Sequence, residues 1–106
     1  FGTGGPVIAV LGEYDALPEL SQTADPVRTV RPGGNGYGHA CGHHVFGVAS
    51  LAAALAIADE IRAGRLRGTV RFYGCPAEEG GAAKAFMARA GLFNDCAVCL
   101  HWHPGS

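Results

Sequence analysis

Short apolar segments typical of strands alternate with helical segments along this chain, and this order constrains the fold more than any other feature. The predicted strands are residues 7–11, 69–73 and 96–102, and the predicted helices are residues 43–63 and 82–90. Such alternation predicts an α/β fold, with a mostly parallel or mixed sheet flanked by helices. Ligands of these sheets bind beyond the carboxyl ends of the strands, so we expect a site there.

Two segments follow neither pattern. Gly2–Pro6 is a cluster of residues that break regular structure, and residues 13–38 form a long loop interrupted by prolines and glycines. A loop of this length inside a compact domain is usually functional. The alanine-rich helix that begins at His43 is expected to face protein on most sides. Its charge-free run from Val45 to Ala58 is shorter than the roughly 20 residues that cross a membrane, so no membrane partner is expected.

Size and charge exclude several classes of function. With 106 residues the chain forms one compact domain at most, and it begins at Phe1 without an initiator methionine, so we expect a piece of a larger protein. A net charge of −1 with only 8 Lys plus Arg gives no positive field for nucleic acid, which leaves a small-molecule partner. No secretion signal opens the chain, and we expect a cytoplasmic, reducing compartment in which the four cysteines are not disulfides.

Histidines and carboxylates collect where the predicted strands end. The strand-end residues are Glu13 and Asp15, Glu78 and Glu79, and His101 and His103, and a second histidine group, His39, His43 and His44, precedes the first helix. Neighbouring parallel strands end at the same edge of a sheet, so we expect these side chains to lie side by side. Asp15 either orients a histidine ligand or is simply solvated.

The segment Cys41-Gly42-His43 has the residue types of a metal site. A thiolate and an imidazole two residues apart converge on one ion only where the chain is not yet helical, and Gly42 permits that conformation. Such ligands suit a borderline-soft cation such as Zn²⁺. The alternative is that Cys41 is a small apolar residue at a helix start, with histidines that only solvate that turn.

The adjacent carboxylates and the strand-end histidines extend this pattern. Beside a metal, one of Glu78 and Glu79 can bind the ion while the other takes a proton from water; alone, the pair would only favour a helix dipole. His101 and His103 share a face of the predicted strand, and Pro104 holds His103 extended. We favour His103 as the ligand because it lies nearer the carboxyl end.

Four motifs in this order resemble the dinuclear metallopeptidases and amidohydrolases, a family that includes aminoacylase, carboxypeptidase, acetylornithine deacetylase and indole-acetyl-amino-acid hydrolase. The motifs are Gly12-Glu-Tyr-Asp15-Ala-Leu-Pro18, Gly38-His-Ala-Cys41-Gly-His43, Pro76-Ala-Glu78-Glu79 and Trp102-His103-Pro104. They span nearly the whole chain, and the similarity is greatest to the branch that hydrolyses p-aminobenzoyl-glutamate. The resemblance implies that residues 1–106 are the N-terminal part of a metallohydrolase catalytic domain. The dimerisation domain and C-terminal part would lie outside them, in a homodimer or heteromer.

The resemblance also implies residue roles and an activity. Cys41 resembles the ligand that bridges two divalent ions, Zn or Mn, while His43 and Glu79 resemble further ligands and Glu78 the general base. The implied reaction is hydrolysis of the amide bond of an N-acyl or N-aroyl amino acid such as p-aminobenzoyl-glutamate.

The strand-end ligand stays open within the resemblance. A His-x-x-Pro pattern selects His101, whereas the Trp-His-Pro pattern selects His103. Many relatives have Asp where this chain has His44, and a further histidine ligand of the family is expected outside these residues.

Two other interpretations use the same residues. A structural zinc module would use Cys41, Cys96, Cys99 and a histidine, and it would leave no open position for water. A thiol hydrolase would use Cys41 as its nucleophile beside a histidine. Because Cys96 and Cys99 lie three apart in a predicted strand, their side chains are expected on opposite faces and in the core.

Overall fold

The computed structural model describes residues 1–105. Within them, six strands and two helices follow one another in the chain. These are β1 (Gly2–Thr3), β2 (Val7–Glu13), β3 (Leu17–Pro18), β4 (Tyr37–Gly38), α1 (His43–Arg62), β5 (Gly68–Cys75), α2 (Ala83–Arg89) and β6 (Val98–Leu100).

Four of the strands form one mixed sheet in the order β1-β5-β2-β6. β2 runs parallel to both β5 and β6, and β1 pairs antiparallel with β5. The predicted mixed sheet flanked by helices is therefore confirmed. The register places Glu13 opposite Cys75 and Val10 opposite Leu100, so the carboxyl ends of the three parallel strands lie at one edge.

The central strand β2 separates two apolar clusters because its side chains alternate between the faces of the sheet. Val10 packs with Val70 and with Ala54 and Ala58 of α1. On the opposite face, Ala9 and Leu11 pack with Cys75, and a further group lies against them: Tyr73, Met87, Phe93 and Cys96. Each large side chain buried here contributes about 1.5–3 kcal/mol. The core thus fixes β2, whose end carries Glu13.

Helix α1 is buried along one face only. His43, Phe46, Ser50, Ala54 and Ala58 are its buried residues, spaced three or four apart as one helix face requires. The opposite face is open, and Val48 is 69% exposed. The expectation that most of α1 faces protein is wrong for residues 1–105, because the sheet covers a single face. By length and composition alone, α1 is also apolar enough to cross a membrane.

Short paired segments appear where the sequence predicted none. Strand β1 lies inside the predicted breaker cluster, and β3 pairs with β4 inside the predicted long loop. Strands of two residues are too short to show a period in the sequence, so these predictions were wrong in detail. The third predicted strand is also shorter than expected: it ends at Leu100, and His101–His103 leave the sheet to contact Phe46.

Candidate metal centre

The turn before α1 brings Cys41 and His43 to the same point. Gly42 between them has a left-handed backbone (φ 83°), a conformation that glycine adopts without strain. A Cβ on Gly42 would lie 2.8 Å from Pro104 Cγ, so the segment after β6 packs directly on this turn. As a result the ligand atoms of Cys41, His43 and His103 lie within 4.8 Å of one another.

His43 is fully buried and its ring is oriented by Asp15. Its Nδ1 donates to Asp15 Oδ1 at 2.8 Å, because a carboxylate can only accept. Nε2, the other ring nitrogen, is therefore directed at the centre, as in the imidazole of a metal ligand. Asp15 also accepts the backbone N–H of Glu79 at 3.0 Å. Burial raises the pKa of Asp15, but these two hydrogen bonds outweigh it and hold the pKa below its ordinary value.

His103 is held in the same manner and points at Cys41. Its Nδ1 donates to the carbonyl of Pro104 at 2.6 Å, and its Nε2 lies 3.2 Å from Cys41 Sγ. His101 differs, because its Nε2 contacts Glu13 Oε1 at 3.2 Å. Among the described residues, the structure thus brings His103 rather than His101 into the group with Cys41 and His43.

The adjacent carboxylates reach the same imidazole from the loop after β5. An oxygen of Glu78 and an oxygen of Glu79 each lie 3.8 Å from His43 Nε2. Glu79 also hydrogen-bonds the thiol of Cys41; this bond is the main cause that raises the pKa of Cys41, followed by burial and by the charges of Glu79, Glu78 and Glu13. A thiol with a raised pKa is a poor nucleophile, which argues against the thiol hydrolase.

The arrangement fits a divalent cation. It combines one sulfur, several carboxylates and two imidazole nitrogens, and in each of these imidazoles the other ring nitrogen is held by a hydrogen bond. Such donors are typical ligands of divalent transition-metal ions. The buried His43 Nε2 has no hydrogen-bond partner within residues 1–105. A buried polar atom without a partner is costly, and a cation at this point would satisfy it.

The other cysteines and histidines lie apart from this group. All four cysteines are free, as expected. Cys96 packs on the core as predicted, but Cys99 is exposed because β6 is an edge strand. No cluster of ligand atoms in the described part of the chain joins either to Cys41, which removes the support for the structural zinc module. The rings of His39 and His44 contact each other, with centroids 4.7 Å apart.

Comparison with known families accounts for this donor set. The model of peptidase family M20/M25/M40 matches residues 9–106. The chain belongs to this family. M20/M25/M40 members generally bind metal ions, in agreement with the group built around Cys41 and His43.

Curated members of the M20/M25/M40 family align with nearly the whole chain. It is 54% identical to a subunit of p-aminobenzoyl-glutamate hydrolase from Escherichia coli (strain K12), over 98% of this chain and 22% of that protein. It is 38% identical to N-acetylcysteine deacetylase of Bacillus subtilis (strain 168), over 93% of this chain and 25% of that protein. It is 33% identical to the Xaa-Arg dipeptidase of Mus musculus, over 92% of this chain and 19% of that protein. The chain therefore spans about a quarter or less of these relatives. No solved structure matches it significantly.

The sequence assigned no role to two residues that lie at this centre, Glu13 and Lys84. Glu13, at the end of β2, is only 2% exposed and contacts His43, His101 and Lys84. Lys84 lies in the first turn of α2 and is the single lysine of the chain. The sequence signals were the position of Glu13 at a strand end and the rarity of lysine, and neither indicates a specific contact.

Proposed function

We propose that the protein containing this chain is a metal-dependent hydrolase of the amide bond in an N-acyl or N-aroyl amino acid, such as p-aminobenzoyl-glutamate. The observation that carries the proposal is the convergence of Cys41, His43 and His103 beside the adjacent carboxylates Glu78 and Glu79. The named relatives support it, because a hydrolase of p-aminobenzoyl-glutamate, a deacetylase of N-acetylcysteine and a dipeptidase all cleave a carbon–nitrogen amide bond.

In this proposal the side chains around His43 hold the metal. Cys41, His43, Glu79 and His103 would hold the metal, and Asp15 fixes the ring of His43. Two divalent ions, Zn or Mn, would lower the pKa of water, and their positive charge would stabilise the oxyanion that develops on the substrate. We favour His103 over His101 because the Nε2 of His101 is already engaged by Glu13.

Glu78 is the general base of the proposed reaction. It is 43% exposed and stands 3.8 Å from His43 Nε2, so its carboxylate can reach both the centre and an incoming substrate. Glu78 accepts a proton from water as the water oxygen forms a bond to the carbonyl carbon. The carbon–nitrogen bond then breaks, and Glu78 passes the proton to the leaving amine. The products are a carboxylate and an amine.

Glu78→Gln in the full-length protein tests this role. The substitution keeps the size of the side chain but cannot accept the proton, so we expect kcat for p-aminobenzoyl-glutamate to fall by about 10²–10⁴-fold. Metal content measured by mass spectrometry should not change. Glu60→Gln, which alters a surface carboxylate paired with Arg65, is the matched control and should keep full activity.

Two results would contradict the proposal. Near-normal turnover by the Glu78→Gln variant rejects Glu78 as the base. Absence of hydrolysis of every N-acyl and N-aroyl amino acid by the metal-loaded wild-type protein rejects the activity itself.

The wider context follows from the same relatives. One of them is named as a subunit of a hydrolase, and we propose that this protein also acts in an oligomer, as a homodimer or heteromer. We further propose that residues 1–106 are the N-terminal part of its catalytic domain and that it works in the cytoplasm. The four free cysteines are consistent with a reducing compartment.

A further inference from the structure

Glu13 is a buried carboxylate whose two oxygens have different surroundings. Oε1 accepts from Lys84 Nζ and lies 3.2 Å from His101 Nε2. Oε2 lies 3.1 Å from His43 Nε2, yet it has no hydrogen-bond partner within residues 1–105, and neither does His43 Nε2. Two buried polar atoms therefore face each other without a hydrogen bond between them.

Burial makes this pair of atoms costly by itself. Nδ1 of His43 donates to Asp15, so Nε2 is the ring nitrogen that is directed at Glu13 Oε2. Each of the two atoms has lost its water and has no hydrogen-bond partner within residues 1–105. A cation bound to both atoms would satisfy both of them.

The distance also suits shared coordination. Ligand nitrogen and oxygen atoms lie about 2.0–2.2 Å from Zn²⁺, which puts neighbouring ligands of one tetrahedral ion about 3.3–3.6 Å apart. The separation of 3.1 Å between Glu13 Oε2 and His43 Nε2 is close to that range. An oxygen of Glu78, the proposed base, lies within 4.8 Å of both atoms, where it faces the same point.

The local charge points the same way. Four carboxylates lie within ion-pair distance of the His43 ring: Glu13, Asp15, Glu78 and Glu79. Among the described residues, Lys84 is the one lysine or arginine paired with any of them, and it engages only Oε1 of Glu13. An excess of negative charge around a buried imidazole favours the binding of a cation.

We propose that Glu13 is a further metal ligand of this centre: Oε2 would bind the ion that His43 Nε2 also binds, while Oε1 stays paired with Lys84 and His101. This inference rests on the proposed metal-dependent function and adds a residue at the end of β2 to the ligands proposed above. Helix α2 acquires a role as well, because Lys84 ties it to the centre.

Metal affinity in the full-length protein tests the assignment without reference to activity. Bound metal is first removed with a chelator, and Zn²⁺ is then titrated in competition with a chromophoric chelator. We expect Glu13→Gln to weaken binding by about 10–100-fold. Lys84→Met should bind Zn²⁺ as tightly as wild type or more tightly, because Oε2 is retained and a competing positive charge is lost. Glu60→Gln is the control and should match wild type.

Substitution of Co²⁺ gives a second, spectroscopic reading. The visible absorption bands of bound Co²⁺ depend on its ligands, so Glu13→Gln should change them and Lys84→Met should leave them in place. Glu13→Asp, which keeps the charge but retracts the carboxylate, replaces Glu13→Gln if the latter does not fold. It should weaken Zn²⁺ binding and alter the bands.

The outcomes separate the ligand role from the alternatives. Unchanged affinity and an unchanged spectrum in the folded Glu13 variant overturn the inference while leaving the proposed function intact. An equal loss of affinity in the Glu13 and Lys84 variants also overturns it, because it would show that the Glu13–Lys84 pair is only a structural clamp. A wild-type protein that binds no metal rejects the proposed function itself.

Discussion

Phe46 shows how one side chain supports the whole centre. It is completely buried on α1, and its ring contacts four aromatic side chains, with centroids 5.2–5.8 Å apart. These are His43 on its own helix and His101, Trp102 and His103 after β6. Phe46 therefore holds two parts of the chain that contribute proposed ligands, although it carries no donor atom itself.

Phe46→Ala should destabilise the protein and weaken metal binding together. Loss of a fully buried phenylalanine costs about 3–5 kcal/mol, because the ring contacts vanish and a cavity remains. Urea unfolding of the full-length protein measures the loss, and Zn²⁺ titration measures the affinity. Val48→Ala on the exposed face of α1 is the control and should change stability by no more than about 0.5 kcal/mol. Equal stability of the Phe46→Ala and Val48→Ala variants would contradict this role.

The ion pair between Arg71 and Asp95 gives a pH-dependent prediction. The two terminal guanidinium nitrogens of Arg71 each donate to one carboxylate oxygen of Asp95 at 2.6 Å. This contact holds the pKa of Asp95 below its ordinary value. The stability it contributes is therefore fully present above the unfolded pKa of about 4 and is lost as the pH falls through the lower folded value. Asp95→Asn should be less stable than wild type at pH 6, and the difference should shrink below about pH 4. Thermal unfolding across this range measures it, and a constant difference would contradict the assignment.

At the residue scale, the sequence predicted that these side chains lie close together but not every contact between them. The left-handed Gly42 lets Cys41 and His43 meet, and the spacing of the motif predicted only that the chain is not yet helical there. The choice between His101 and His103 depended on hydrogen bonds to Nδ1 and Nε2, which spacing does not encode. Lys84 comes from a different element than Glu13, and the pair forms only through tertiary packing.

At the element scale, the close approach of α1 to β2 positions the centre. Gly47 lies where the helix crosses the strand, and a Cβ there would be 2.3 Å from the carbonyl oxygen of Glu13. Glycine therefore allows the first turns of α1 to contact the end of β2. This approach brings the buried His43 within reach of Glu13.

Gly47→Ala should push α1 away from the end of β2. The helix itself would gain from the higher helix propensity of alanine, by up to about 1 kcal/mol, but the backbone contact excludes the added methyl group. We expect faster amide hydrogen exchange in residues 43–50 and weaker Zn²⁺ binding. Gly80→Ala, where nothing lies within 4 Å of the added Cβ, is the control. Exchange unchanged from wild type in the Gly47→Ala variant would contradict the steric role of this glycine.

The long elements could be predicted from the sequence, and the short ones could not. The predicted helix 43–63 and the observed α1 differ by one residue, because the alanine-rich pattern extends over five turns. The strand that ends at Leu100 was predicted two residues too long at each end; at its C-terminal end, Trp102 has high strand propensity but packs on Phe46 instead. β1, β3 and β4 exist only through their partners, which no local pattern specifies.

At the scale of the whole molecule, the fold places three strand ends, one helix start and one loop around a single buried imidazole. The chain belongs to peptidase family M20/M25/M40, whose members generally bind metal ions. It spans about a quarter or less of the length of the named relatives.

X-ray absorption at the zinc edge of the full-length, zinc-loaded protein tests the central claim most directly, because it counts sulfur neighbours separately from nitrogen and oxygen. We predict a shell dominated by nitrogen and oxygen with a minor sulfur contribution, which disappears in the Cys41→Ser variant. A shell made mainly of sulfur, or a sulfur signal that survives Cys41→Ser, would contradict the proposed centre.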